Sequence, residues 1–349
     1  MSAKDSALEG LRDDVSGRPA RDVLVEIARV VEAAGSLLIT THVNPDGDAI
    51  GSAVGLALGL RRLGKTPVVA HGQAVPDRLQ PFVPEGLVEL ADDAWLRRAE
   101  NRFDGFVVLD TSEPERVGPL ENLIFAGGRQ RLCLDHHVHE ARGLFDHHLV
   151  VREVPATASL VIALLDELGV SLDTTIARAL WLGLSTDTGW FRFSNTTPLA
   201  LIHASRLLAL GLETEALHEE IYGAHSLERT RLLGAVLQGL QSDHDGRFVW
   251  GFVDRELLPL DGVIDHLKSI RGALVVALIT ETDKSCYKVS LRSMREATVE
   301  ALAGRFGGGG HPKAAGFRFQ GSLPALEDNL RRLVPQGFSG TPSPVSPAE

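Results

Sequence analysis

One imidazole and two carboxylates, His42, Asp46 and Asp48, crowd a single short stretch of this chain, SLLITTHVNPDGDAIGS at 36–52. Side chains of these types bind divalent cations through nitrogen and oxygen, and a cation so held polarises a phosphoryl group or activates water. The same chemistry recurs at Asp110, which closes the apolar run 106–109, at Asp135-His136-His137, which closes 131–134, and at Asp187 in STDTGWF at 185–191. Together His42, Asp46, Asp48, Asp110, His136 and Asp187 supply four carboxylates and two imidazoles. Four unpaired aspartates in one pocket repel and raise one another's pKa unless about four positive charges are present, and two divalent cations satisfy that balance. Oxygen and nitrogen ligands without thiolate favour Mn2+, with Mg2+, Co2+ and Fe2+ as alternatives. For any one of these residues a loop cap or a salt bridge is the simpler explanation; the joint pattern points to metal.

These residues need elements that converge. The β-branched run 37–41 reads as a buried parallel strand, Asn44-Pro45-Asp46-Gly47 as a turn, and Asp48 as the cap of a helix beginning at Ala49. The small residues Gly51, Ala53, Gly55, Ala57 and Gly59 are expected to seat that helix closely on the sheet. Further strands are predicted at 66–70, 106–109 and 131–134, and strands ending on acidic or histidine residues are the pattern of one site built from several strand ends. A second Asp-His-His, Asp146-His147-His148, precedes the run 149–151, which leaves it at the amino end of a parallel strand, away from such a site. Helices are predicted over 22–34, 94–101, 155–168, 174–184, 198–211 and 214–222, with a connecting helix over 227–241. Beyond it, strands at 248–253, 274–280, 287–292 and 315–319 alternate with helices reaching 270 and near 297–304. The expected fold is α/β: a parallel-sheet domain over 21–225, a helical linker over 226–241 and a smaller α+β domain over 242–335. Residues 1–20 and 336–349 are expected to be disordered tails.

With 349 residues, 44% of them apolar and 23% charged, the chain has the composition of a two-domain globular protein. Neither a signal-peptide pattern nor an apolar run long enough for a membrane span is present, so a cytoplasmic protein with no membrane partner is expected. Cys133 and Cys286 lie far apart in apolar runs and read as reduced, buried thiols. A net charge of -11 argues against holding long nucleic acid through the overall field. The balance reverses over 284–318, where seven Lys or Arg face Glu296 and Glu300 only. That stretch contains the glycine run 307–310, whose backbone can adopt positive φ and present successive N–H groups to an anion. Alone it would equally suit a flexible linker; His311, Lys313 and Arg292 tip it towards anion binding.

The segments NPDGDAIGS (44–52), VLDTS (108–112), LDHH (134–137) and STDTGWF (185–191) resemble the motifs of the DHH phosphoesterases, and GGGGHPKAAGF (307–317) resembles the signature of the DHH-associated C-terminal domain. The resemblance spans roughly residues 25–335, with the motifs in the family's order. Within the family it is nearest to the nano-RNases, which hydrolyse very short oligoribonucleotides and dephosphorylate 3′-phosphoadenosine 5′-phosphate. It implies His42, Asp46 and Asp110 on one metal, with Asp48, Asp110, His136 and Asp187 on the other and Asp110 as the bridge. It further implies in-line attack of water on phosphorus, His137 touching the phosphate or leaving oxygen, and Asp135 orienting the neighbouring histidines. Arg292, Gly308, Gly309, Gly310 and His311 would grip the nucleotide between the domains. One departure is Glu300, where family members often carry asparagine. Short RNA and small phosphorylated nucleotides are thus the expected partners; the sequence does not fix the oligomeric state, and a homodimer is compatible with it.

Three rivals share parts of this pattern. A cyclic or linear dinucleotide phosphodiesterase would use the same metals. A family II inorganic pyrophosphatase resembles the metal site but grips its substrate with an SRK-type motif rather than GGGGH. A non-catalytic nucleotide-binding module has no need of six metal-type ligands.

Overall fold

The computed structural model describes residue 14 and residues 17–137, 143–223, 226–257 and 262–338. The expected tails fall largely outside these residues. The chain divides into two compact units, Met1–Ala224 and His225–Glu349.

The first unit runs α1 (Ala20–Ala33), β1 (Leu37–Thr40), α2 (Gly47–Arg62), β2 (Val68–His71), β3 (Val88–Leu90), α3 (Asp93–Ala99), β4 (Gly105–Leu109), α4 (Glu121–Phe125), β5 (Gln130–Asp135), β6 (His147–Val150), α5 (Thr157–Glu167), α6 (Thr174–Asp187), α7 (Pro198–Leu208) and α8 (Thr214–His218). Its six strands form one sheet in the order β3-β2-β1-β4-β5-β6, parallel throughout. Every residue of β1 and β4 is buried, because helices cover both faces, as the unbroken apolar runs of a parallel sheet require. Leu37, Ile39, Val107 and Leu109 pack beneath α1, α2, α5 and α6, while Leu38, Phe106, Val108 and Cys133 pack with Trp95 and Ile124 on the other side. The order reverses between β1 and β4, and such a switch leaves a crevice beyond the carboxyl ends of the strands.

Two local expectations change. Helix α2 begins at Gly47, and Asp46, not Asp48, caps it by accepting from the Asp48 and Ala49 N–H groups. Its small residues seat it on another helix: a Cβ at Gly51 would lie 2.4 Å from the Ala179 carbonyl oxygen of α6.

The second unit contains α9 (Leu227–Gln238), β7 (Gln241–Asp243), β8 (Phe248–Val253), α10 (Val263–Lys268), β9 (Val275–Asp283), β10 (Cys286–Ser293), α11 (Glu300–Gly304), β11 (Gly309–His311), β12 (Ala314–Gln320) and α12 (Leu323–Leu333). Its mixed sheet has the order β11-β12-β10-β9-β8-β7, with β8 and β9 parallel and the other neighbours antiparallel. One face packs Trp250, Ile279, Val289 and Phe317 against α11 and α12. On the other face Val249, Val253 and Val276 meet Val236 of α9 and Val263 and Leu267 of α10. The helix read as a connector is therefore packed onto the second unit's sheet through Val236, and it ends before β7. Helix α12 and the short strands β3, β7 and β11 were not anticipated. Both cysteines are free thiols, Cys133 buried and Cys286 partly so. No helix among the described residues is long and apolar enough to cross a membrane.

Candidate active site

His42 follows β1, and its Nδ1 donates to the Val43 carbonyl at 2.8 Å. That bond fixes the tautomer, so the Nε2 lone pair faces Asp110 Oδ2 at 3.4 Å and Asp46 Oδ1 at 3.9 Å. Asp110 stands at the tip of β4 with φ 62°, a left-handed conformation that aspartate tolerates better than most residues. Its own N–H donates to Leu134 of β5 at 3.0 Å, and its Oδ1 accepts from the Thr157 hydroxyl at 2.9 Å. Freed from capping α2, the buried Asp48 caps α5 instead: it accepts from Thr157 N at 2.6 Å and Ala158 N at 3.0 Å, and from the Ser52 hydroxyl at 3.0 Å. His136, just past β5, points Nε2 at Asp187 Oδ2 (3.5 Å), Asp110 Oδ1 (3.6 Å) and Asp48 Oδ2 (3.9 Å). His137 turns its Nδ1 onto Asp135 Oδ1 at 2.8 Å, and its N–H reaches the same oxygen at 3.1 Å.

All six residues predicted to bind metal thus converge beyond the carboxyl ends of β1, β4 and β5, at the reversal of strand order. His42, Asp46 and Asp110 bring ligand atoms within 4.8 Å of one another, as do Asp48, His136 and Asp187, and Asp110 also groups with His136 and His137. The donor set fits divalent cations. Among the described residues His136 Nε2 is buried without a hydrogen-bond partner while three carboxylate oxygens surround it, an arrangement that a shared cation satisfies. The second Asp-His-His lies at the other end of the sheet, where Asp146 accepts from Arg131 N at 2.9 Å and His147 meets Glu26 of α1 at 3.2 Å.

In the second unit, Arg292 of β10 is directly opposite Ala314 of β12, which is directly opposite His311 of β11. Directly opposed residues share a face, so Arg292 and His311 flank Ala314 on one side of the sheet. Of the glycine run only Gly307 and Gly310 have positive φ, and Gly309 and Gly310 belong to β11. The segment is therefore largely a strand pressed on β12, not an open loop; a Cβ at Gly310 would lie 2.5 Å from the Ala314 carbonyl oxygen. Lys313 does not project towards an anion: its ammonium donates to the carbonyls of Arg295 and, at 2.9 Å, Ala297.

Residues 36–184 match the DHH family, N-terminal domain, and residues 253–336 match the DHHA1 domain. The bifunctional oligoribonuclease and PAP phosphatase NrnA of Thermus thermophilus is 33% identical over 307 residues, which cover 86% of this chain and 88% of that protein. The chain belongs to the DHH family. An exopolyphosphatase-related protein from Bacteroides fragilis has the same fold, with a TM-score of 0.84 at 25% identity over 90% of this chain and 97% of that one. RecJ from Thermus thermophilus, solved with Mn2+, shares it more distantly: TM-score 0.56, 18% identity, 93% of this chain and 56% of that one. As a DHH phosphoesterase the protein is a hydrolase acting on phosphoester bonds.

The electrostatics of the DHH site follow from burying like charges. Burial, then Asp48 and the other aspartates, hold the Asp110 carboxyl well above the ordinary range; burial and Asp46 raise Asp48, although His136 opposes them. Burial and Asp48 push Asp187 up to about 8. Burial lowers His136, leaving it neutral and able to donate a lone pair. Burial also acts on the pair beside it, but the Asp135–His137 hydrogen bond and charge outweigh it, lowering Asp135 and raising His137. Two DHH-site residues went unread in the sequence. Thr157 looked like an ordinary helix start, yet it holds both Asp48 and Asp110. Asn195 sits in a polar turn before Pro198, and its amide donates to the Asp187 carbonyl (3.1 Å) and carboxylate (3.4 Å) and to the Pro155 carbonyl (2.9 Å).

Proposed function

We propose that this chain is a two-metal phosphoesterase that degrades very short oligoribonucleotides to mononucleotides and removes the 3′-phosphate of 3′-phosphoadenosine 5′-phosphate. The observation that carries this reading is the position of Asp110, which faces His42 through one oxygen and His136 through the other and groups with Asp46 as well. The name of the Thermus thermophilus NrnA relative supports the substrate class, and the Mn2+ of the RecJ structure supports the choice of metal.

His42, Asp46 and Asp110 would hold one cation; Asp48, Asp110, His136 and Asp187 would hold the second. Two divalent cations, Mn2+ by preference, would supply a lowered pKa for the attacking water and neutralise charge at phosphorus. Thr157 fixes the rotamer of Asp110 through Oδ1, and Asn195 that of Asp187 through Oδ2. His137, whose Nδ1 donates to Asp135 and whose pKa that pairing raises against burial, would offer an Nε2 proton to a phosphate oxygen or the leaving oxygen. Arg292, His311 and the backbone of Gly308, Gly309 and Gly310 hold the nucleotide, so remote binding and bond cleavage are separable.

A turnover panel with Mn2+ tests this. A ribodinucleotide and 3′-phosphoadenosine 5′-phosphate are expected to give the highest kcat/KM, above a cyclic dinucleotide and inorganic pyrophosphate. His311→Ala should weaken the dinucleotide reaction far more than that of an aryl phosphoester. Pyrophosphate as the best substrate, indifferent to His311→Ala, would overturn the proposal in favour of a pyrophosphatase.

A further inference from the structure

We infer that Lys288 and Arg318 form a second phosphate-binding position at the uncovered end of one face of the second unit's sheet, taking a backbone phosphate of an oligonucleotide whose terminal nucleotide is held at Arg292 and His311. This rests on the functional reading above and extends it to substrate length.

The strand register carries it. On β10 the buried residues Tyr287, Val289 and Leu291 alternate with Lys288, Ser290 and Arg292, so the latter three share the opposite face. Their directly opposed partners on β12 are Arg318, Gly316 and Ala314, and those of the last two on β11 are Gly309 and His311. Three rungs therefore cross one face: Arg292–Ala314–His311, then Ser290–Gly316–Gly309, then Lys288–Arg318. Helices α9 and α10 cover this side of the sheet over Val249, Val253 and Val276 of β8 and β9. At the other end of the face Lys288 and Arg318 are exposed.

Two cations directly opposed on a sheet repel, a cost that a protein without use for it avoids by pairing one with a carboxylate. Among the described residues neither Lys288 nor Arg318 makes an ion pair, and the β9 neighbour of Lys288 is the neutral Thr280. The middle rung carries only a serine and two glycines, leaving a shallow trough between the cationic ends. Lys288 lies four residues from Arg292 along β10, roughly 14 Å of strand. Two phosphates of one nucleotide do not span that length, whereas those of a chain a few nucleotides long do. The pair would thus add nothing for 3′-phosphoadenosine 5′-phosphate and contribute for a tetranucleotide. It also gives a use to two of the seven Lys and Arg of 284–318 in a chain of net charge -11.

The test is the full-length Lys288→Gln/Arg318→Gln double variant with Mn2+, comparing the tetranucleotide-to-dinucleotide ratio of kcat/KM across a salt series. The ratio is expected to fall about tenfold, and the salt slope for the tetranucleotide to flatten by about 0.7 for each phosphate that the variant no longer neutralises. Lys288→Arg with Arg318→Lys, which keeps both charges, should restore the ratio. An unchanged ratio and slope in a double variant whose thermal unfolding matches the parent, where the parent cleaves both RNAs, would overturn the second position alone. A parent that cleaves neither RNA would overturn the functional reading and this inference together.

Discussion

Asp110→Asn is expected to lower kcat/KM about a thousandfold or more on any phosphoester substrate, because it neutralises the one carboxylate proposed to serve both cations, which groups with His42 and Asp46 on one side and with His136 and His137 on the other. Asparagine is the informative replacement. Asp110 has a φ of 62°, so alanine would add backbone strain, and it would leave the buried Thr157 hydroxyl without its acceptor. The amide retains both features and removes only the charge. Without metal the same change should stabilise the fold. The Asp110 carboxyl is held protonated well above its ordinary 3.8, so the folded state binds more protons than the unfolded one between those two values. In that window the metal-free parent loses stability as pH rises and the variant escapes that loss. Thermal unfolding in chelator over a pH series rising from about 4 should therefore show the variant gaining stability relative to the parent as pH rises. Near-parental activity for Asp110→Asn would mean that Asp110 is not the shared ligand.

Much of this site was legible because its elements are local. An apolar run ending on Asp110 and another ending on Asp135-His136-His137 read directly as buried strands that deliver polar groups to one end of a sheet, and the reversal of order between β1 and β4 puts those ends together. Position relative to the strand also separated the two Asp-His-His copies. What was not legible depends on distant partners. Asp46 and Asp48 are equally good caps by local sequence; Asp48 is drawn away because the α5 amides of Thr157 and Ala158, over a hundred residues later, need a carboxylate. The small residues of α2 signalled a close approach without naming its partner, which is α6. Asn195 resembles any turn asparagine until the fold brings Asp187 and Pro155 to its amide. β3 has three residues and follows a proline-interrupted stretch, too short for any alternation to register.

The two Asp-His-His copies supply the second large effect. His136→Ala should reduce kcat/KM about a hundredfold or more, since among the described residues its Nε2 is the only nitrogen facing Asp48, Asp110 and Asp187 together. His147→Ala removes a partly exposed interaction with Glu26 and should leave turnover within about twofold, at a stability cost of about 1 kcal/mol or less. Steady-state kinetics on one dinucleotide compares both variants. The reverse ranking would move the site to the amino end of β6 and displace every ligand assignment made above.

That one cluster holds two cations acting together is tested most directly by titrating Mn2+ into metal-stripped protein, following bound metal by equilibrium dialysis and dinucleotide hydrolysis in the same samples. Two ions per chain are expected, with hydrolysis rising only as the second is taken up, and with Asp110→Asn binding both weakly. Full hydrolysis at one equivalent per chain, or hydrolysis that persists in excess chelator, would contradict the account.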